Sequence, residues 1–425
     1  MSENQNEDKK ILNSISDIEN KIDSKFSSDS KVVPLNPKEN EVINQTIFHI
    51  VEDYLSKRYE LRFNKTLLNV EIKPKKSNSE WKICNENDLY IEMNKNNIKA
   101  DQNKIKAILG SSFVKEHNLI KDYFKNIKKW DGTDYISELC KYISSPEIDQ
   151  FEYHLKKWLV RSVKCMLIDG YFNKQAFVIT DKGNGQDIGK SHFTKWICPP
   201  GLPSTRSFED AKKDNLIKLS TNAFIILDEL DGISRKDLNV LKSMFSTDET
   251  RVRLPYGKRE ETIQRIANFI GSTNDDTFLT DPTGSVRWLV FYVTAFNWDY
   301  SKNINIEDIW SQAYALSNDK NFVEKLTKSD LKNNEIRNEE YQLKSTEQEL
   351  IESLFDIPNQ KNLNRATFYT STDVLKYIQS NLGYGNKLYA VSIGKAMTRL
   401  KNPKIKSKER GVYGYMLIHN NKSIS

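Results

Sequence analysis

The chain holds only four cysteines in 425 residues, Cys84, Cys140, Cys165 and Cys198, widely spaced and with no CxxC pair. That spacing excludes a disulfide framework and a zinc ribbon and leaves reduced core thiols as the simplest reading. The five histidines are equally scattered, so no metal centre is built from them. Long apolar runs are missing too: nowhere do the roughly eighteen residues needed to span a bilayer occur together, which argues against a membrane role. The opening segment is polar and acid-rich, with neither the apolar heart of a signal peptide nor the acid-poor character of a transit peptide. A cytoplasmic protein is expected. Internal repeats and a proline-rich linker are also lacking.

What is present suffices for two or three domains with at least one sizeable core, at 38% hydrophobic and 29% charged residues. Residues 1–40 are rich in Ser, Asn, Asp and Lys and cannot bury enough apolar surface to offset chain entropy, so disorder is expected there. Residues 41–145 read as an N-terminal α+β domain, with Ile43, Ile47, Ile50, Val51 and Leu55 at helical spacing before short strands. Residues 146–300 read as an α/β core. A helix over 148–170 carries Phe151, Leu155, Trp158, Leu159, Val163 and Met166 on one stripe. Three apolar segments, 175–180, 223–227 and 267–274, are expected to form parallel central strands. Residues 301–348 read as a solvated helical connector and 349–425 as a C-terminal domain.

Chemistry concentrates where the first central strand meets a helix, at Gly183-Asn-Gly-Gln-Asp-Ile-Gly-Lys-Ser191. A loop so placed offers backbone N–H groups and the positive end of a helix dipole to phosphate oxygens. The strict GxxxxGK[ST] spacing needs glycine at 184, where Asn184 stands between Gly183 and Gly185. The expected nucleotide contacts are those residues with Gln186, Asp187, Ile188, Gly189, Lys190, Ser191 and His192. Lys190 would bridge the β- and γ-phosphates of ATP, and the Ser191 hydroxyl would ligate Mg²⁺. About forty residues on, the second strand ends in Asp228 and Glu229, suited to holding Mg²⁺ through water and to activating the attacking water. The third strand ends at Asn274, an amide suited to sensing the γ-phosphate. Arg287, and with lower priority Arg265, could act as an arginine finger in cis or in trans. The bland readings are a chance turn for the loop, a helix-capping acid pair, and a surface ion pair for Arg287.

The net charge of +6 is unevenly spread: from Ala366 to Ser425 there are ten Lys or Arg against Asp373 and Glu409. That tail reads as two helices and a β-hairpin, the order of a winged helix. Ser392, Lys395 and Arg399 would sit on its recognition helix, with Lys406, Lys408 and Arg410 on the wing facing DNA phosphates. A second candidate DNA contact is a hairpin around Tyr256, Lys258 and Arg259, where basic residues flank an aromatic ring.

The ordered set of segments resembles the virulence-associated protein E family, ATPases of phages and mobile elements related to superfamily 3 and AAA+ helicases. The matching stretches are Tyr59–Asn64, Tyr123–Gly132, Gln186 with Ile188–Ser191, Leu227–Leu230, Leu254–Gly257, Thr273–Asn274 and Asp281–Gly284 before Arg287. The family carries glycine where Asn184 and Asp187 stand, and an arginine where Val286 stands. The resemblance implies an AAA+ type P-loop core and a DNA helicase or replication initiator. It also implies a homo-oligomeric, hexameric ring, with a primase or loader as a further partner. The competing reading is a nucleotide-responsive DNA-binding regulator or loader with weak or no hydrolysis.

Overall fold

The computed structural model describes residues 45–76, 78–183, 187–206, 212–228, 230, 235–253, 256, 259–275, 277–279, 285–382 and 388–420. The expected disordered stretch, 1–40, lies outside them. The chain divides into two units, Met1–Asp53 and Tyr54–Ser425, the division falling within the helix Ile47–Arg58. The second unit holds every candidate residue.

Residues Tyr59–Asn64, Asn69–Pro74, Lys82–Ile83 and Lys115–His117 form a four-stranded sheet, with helices Glu86–Lys95 and Gln102–Leu109 packed on one another. Asn85 and Asp101 begin these helices by accepting backbone N–H groups of the first turn, satisfying donors that a helix leaves orphaned.

The core opens with α1 (Ile148–Leu167) and continues through β1 (Ala176–Thr180), α2 (Lys190–Trp196), β2 (Ser204–Thr205), α3 (Lys212–Thr221), β3 (Phe224–Leu227) and α4 (Arg235–Ser246). An antiparallel hairpin, Glu249–Arg253 with Glu260–Gln264, leads to β4 (Asn268–Thr273) and β5 (Trp288–Tyr292). The five strands are parallel, in the order β5-β1-β4-β3-β2. Three were expected from the sequence. The structure adds β2, too short to leave an apolar pattern, and β5, whose Trp-Leu-Val-Phe-Tyr run was overshadowed by the arginine before it.

Alternation along each strand sends side chains to opposite faces. Phe177 and Ile179 join Phe151, Trp158 and Leu159 of α1 in one core, while Ala176 and Val178 join Leu238, Leu241 and Phe245 of α4 in the other. With both faces covered, the strands read as continuous apolar runs. Each large side chain fully buried this way is worth roughly 1.5–3 kcal/mol. Gly271 is required where β4 meets β3, because a Cβ there would come within 2.7 Å of the Leu227 carbonyl oxygen.

Helices α5 (Ile306–Asn318) and α6 (Lys328–Asn338) follow. The sequence suggested a solvated connector here. Instead, buried Asn334 and Asn338 donate from their amides to the Trp288 carbonyl at 2.9 and 2.8 Å, tying α6 to the start of β5. The C-terminal region contains α7 (Thr346–Leu354), α8 (Ser371–Leu382) and α9 (Ala390–Arg399) around a separate core. Its long strand, Tyr413–His419, pairs with Ile405–Lys406, Thr367–Tyr369 and Phe355–Asp356. All four cysteines are unpaired, and Cys84, Cys140 and Cys165 are buried. Among the described residues no helix is long and apolar enough to cross a membrane.

Candidate functional site

Strand register brings the polar residues together. Thr180 of β1 pairs with Thr273 of β4, which sets their successors Asp181 and Asn274 side by side. Gly271 pairs with Leu227, which sets Ser272 beside Asp228. These carboxyl ends are where open parallel sheets carry ligands. Gly189, at φ 100°, turns the chain into α2 in a conformation that favours glycine, and α2 then delivers Lys190 and Ser191 into the same space.

Buried Lys190 donates to the Asp181 carboxylate at 2.5 Å and to Asn274 Oδ1 at 2.8 Å. The Ser191 hydroxyl donates to Asp228 Oδ1 at 2.7 Å, and Ser272 donates to the same oxygen at 2.8 Å. Arg206 lies 3.4 Å from the other Asp228 oxygen. The resulting cleft, about 490 Å³, is lined by residues 187–192, Ser272, Thr273, Asn274 and Trp298. Of the expected nucleotide contacts, Asp187, Ile188, Gly189, Lys190, Ser191 and His192 thus share one cleft with Asn274, and Ser191 bonds Asp228. Asp187 has φ 62°, so the position adopts the left-handed backbone a glycine would take without strain. Asn184, Gly185, Gln186 and Glu229 lie outside the described residues.

Gly183, at φ 72°, donates its N–H to Asp181 Oδ1 at 3.1 Å. Lys182, before it, reaches Glu340 at 2.8 Å and lies over the rings of Tyr292 and Tyr341. Lys182 thereby ties the end of β1 to the segment following α6.

The donor set suits a hard divalent cation. Ser191, Ser272 and Asp228 present oxygen alone, the ligand type Mg²⁺ prefers when water and phosphate complete its shell. Among the described residues no group of three or more His, Cys, Asp or Glu could hold a metal by itself, so such an ion would depend on those further ligands.

Arg265 does not belong to the site. It is fully buried before β4, at the opposite end of the sheet, and donates to the carbonyl oxygens of Asn173, Met244, Phe245, Thr247 and Ala267. Burial pushes its guanidinium down to about 10, still protonated at neutral pH. With its donors committed to main chain, it has none to offer a phosphate, and the finger role falls away. Arg287 precedes β5, and Trp288 pairs with Ala176, at the far end of β1 from the cleft. Four residues of strand separate the two ends, roughly 13 Å at 3.3 Å per residue, so Arg287 does not serve its own site. Half-buried, it donates to Ser246 Oγ at 3.2 Å.

The hairpin forms as expected, but Tyr256 turns back onto the N-terminal sheet region. Its hydroxyl donates to Glu86 at 3.2 Å, and its Cβ lies against Gly110. So engaged, the ring is not presented for base stacking. Arg259 is exposed, and Lys258 lies outside the described residues. In the C-terminal region Lys395, Lys406, Lys408 and Arg410 are exposed, and Arg410 approaches Asp373 at 3.5 Å. Arg399 instead turns toward α7, donating to Gln348 Oε1 at 3.4 Å. Exposed Tyr413 stands beside Lys404 and Lys406.

Sequence reasoning missed Asp181, Arg206, Ser272 and Trp298. Asp181 and Ser272 were findable, as polar residues at the ends of buried strands. Arg206 and Trp298 carry no local signal, because only the folded sheet brings them to the cleft.

Fold and cleft define a parallel α/β protein with a lysine, two serines, an aspartate and an asparagine gathered at the carboxyl ends of its central strands. Residues 124–344, more than half the chain, match the family described as Virulence-associated protein E-like domain, and the chain belongs to that family. No curated protein matches the sequence. Similar solved structures include the apo structure of the NrS-1 C-terminal region (305–718), 13% identical, with a TM-score of 0.48 over 88% of this chain and 99% of that one. The A form apo structure of that region is 14% identical, with a TM-score of 0.44 over 88% of this chain and 100% of that one.

Proposed function

We propose that this chain is an AAA+ type P-loop ATPase that binds Mg²⁺-ATP in the cleft and uses hydrolysis to translocate on or unwind DNA, as a replication initiator or helicase of a phage or mobile element. The observation that carries the reading is the convergence of Lys190, Ser191, Asp228 and Asn274 from three chain segments onto one cleft. The strand order supports it: β1, which feeds the loop, is flanked by β4 and β5, and β3 stands beyond β4.

In this reading Lys190 leaves Asp181 to neutralise phosphate oxygens, and Asn274 orients the terminal phosphate. Ser191 and Asp228 would hold Mg²⁺, which when bound supplies charge neutralisation at the β- and γ-phosphates. Glu229 is the proposed base. The C-terminal two helices and hairpin act as a winged helix on DNA, through exposed Lys395, Lys406, Lys408 and Arg410. Arg287, unable to reach its own cleft, serves a neighbouring subunit's in a homo-oligomeric ring, of which a hexamer is the proposed form. A primase or loader is a further proposed partner.

The test is ATP hydrolysis with and without single-stranded DNA, for the parent and Lys190→Ala. Turnover that rises with DNA and disappears in the variant supports a motor. The Asp181 clamp on Lys190 favours one second reading, a nucleotide-responsive DNA-binding regulator or loader that turns over poorly; nucleotide binding without DNA-stimulated hydrolysis would select it.

A further inference from the structure

The cleft has two chemically different ends. Lys190, Ser191, Ser272 and Asn274 make one end polar, suited to the triphosphate chain. The other end is aromatic. Trp298 lines the cleft with 48% of its surface exposed, large for an indole in a segment fixed by the Asn297 N–H bond to the Tyr142 carbonyl at 2.8 Å. Its six-membered ring edge lies against the Gly189 backbone, so closely that a Cβ on that residue would stand 3.0 Å from Cζ2 and 3.1 Å from Cη2.

His192, one residue beyond Ser191 on α2, completes this end. Its ring centroid is 5.1 Å from that of Trp298, and Nδ1 pairs with the buried Tyr300 hydroxyl at 2.7 Å, which fixes the imidazole in place. A half-exposed indole is costly to leave in water, and a rigid aromatic face beside convergent polar groups is how ligand clefts take flat rings.

We propose that Trp298 is the nucleobase platform of the cleft, stacking the ring of a purine nucleoside triphosphate whose phosphates occupy the lysine end, with His192 closing one edge. This deepens the nucleotide reading above and rests on it. Of the described lining residues, His192 is the one whose ring lies beside Trp298, and its Nδ1 is already engaged by the Tyr300 hydroxyl. Recognition there therefore follows ring area rather than the pattern of exocyclic groups, and ATP and GTP bind alike and ahead of CTP and UTP.

The experiment is equilibrium binding on the full chain in Mg²⁺ buffer, with ATP, GTP, CTP and inorganic tripolyphosphate as probes, for the parent, Trp298→Ala and Trp298→Phe. Loss of base stacking weakens ATP binding in Trp298→Ala by about 5- to 150-fold, while tripolyphosphate binding stays within about twofold of the parent and Trp298→Phe keeps most of the ATP affinity. Retained tripolyphosphate binding also shows that the variant is folded. Equal weakening of ATP and tripolyphosphate would overturn the proposal, showing that Trp298 only supports the Gly189 turn, and unchanged ATP affinity would overturn it as well. A parent that binds tripolyphosphate but no nucleotide more tightly overturns this inference alone, whereas a parent that binds no probe overturns the nucleotide reading and this inference with it.

Discussion

The Ser191 hydroxyl donates to the Asp228 carboxylate at 2.7 Å although 37 residues separate them in sequence. One comes from the first turn of α2 and the other from the tip of β3, so the contact exists only because β3 lies beside β4 in the sheet. If Ser191 ligates a Mg²⁺ ion that Asp228 holds through water, removing the carboxylate acts on the ion's affinity more than on the nucleotide's. Asp228→Asn should weaken Mg²⁺ affinity in the presence of ATP by about 10- to 100-fold, the usual effect of losing an outer-shell ligand. A Mg²⁺ titration of ATP binding measures it, and an unchanged midpoint would remove Asp228 from the site.

Lys190 and Asp181 form a buried ion pair, with side chains 8% and 3% exposed. Breaking such a pair from one side strands a charge and costs roughly 3–5 kcal/mol, whereas removing both charges costs much less. Asp181→Ala and Lys190→Met should each lower the urea midpoint clearly, and the double variant should lie closer to the parent than the two effects added together. Strict additivity would mean that the two charges are not coupled. The cycle also separates lost stability from lost phosphate contact when Lys190 variants are assayed.

The glycine-rich segment before α2, the acid at the end of β3 and the amide at the end of β4 were legible in sequence because each follows a run of buried apolar residues, and burial on both faces is what makes a central strand visible. Residues that act through register were not legible. Ser272 matters because Gly271 pairs with Leu227, and Asp181 because Thr180 pairs with Thr273. Arg265 misled for the opposite reason. A lone arginine beside a strand looks available until the fold surrounds it with carbonyl oxygens, and sequence alone does not say which end of the strand it occupies.

His154 is buried on α1 near Phe291, its Nδ1 without a hydrogen-bond partner. Burial, with the Arg337 charge adding to it, pushes its imidazole down to about 3. The unfolded chain protonates the same ring near 6.5, so below that pH unfolding takes up a proton that the fold refuses. Stability should therefore be full above about pH 6.5 and fall as pH drops toward 3, by at most about 1.4 kcal/mol per unit for this one group. Asp131, held down to about 2 by the Tyr135 hydroxyl and the Thr133 N–H, adds its own loss only below the ordinary carboxylate range. Urea unfolding at pH 7, 6 and 5 should show the slope in the parent and a flatter line in His154→Phe. Parallel lines would assign the slope elsewhere.

Exposed Lys406 and Lys408 flank the C-terminal strand pair beside Tyr413. If they meet phosphates, Lys406→Ala and Lys408→Ala should each reduce the dependence of log K on log salt by about 0.9 for duplex or about 0.7 for single strands. Fluorescence anisotropy across a salt series gives the slopes and tells the two substrates apart. Weaker binding at an unchanged slope would place these lysines off the backbone.

Arg287 gives the sharpest test of assembly, since it lies at the end of β5 that is remote from its own cleft. A finger supplied by a neighbour stabilises the charge of the transferring phosphate and is worth about 10³- to 10⁵-fold in turnover. Arg287→Ala should bind ATP about as the parent does and hydrolyse it poorly. The informative step is mixing it with Lys190→Ala. Each variant alone is expected to turn over poorly, but in a shared ring the cleft of an Arg287→Ala subunit can receive the intact arginine of a Lys190→Ala neighbour, and random mixing makes about one interface in four whole. Turnover regained on mixing, at about that fraction of the parent's, requires action in trans. If mixing restores nothing while both variants still assemble with one another, Arg287 does not complete a neighbour's site.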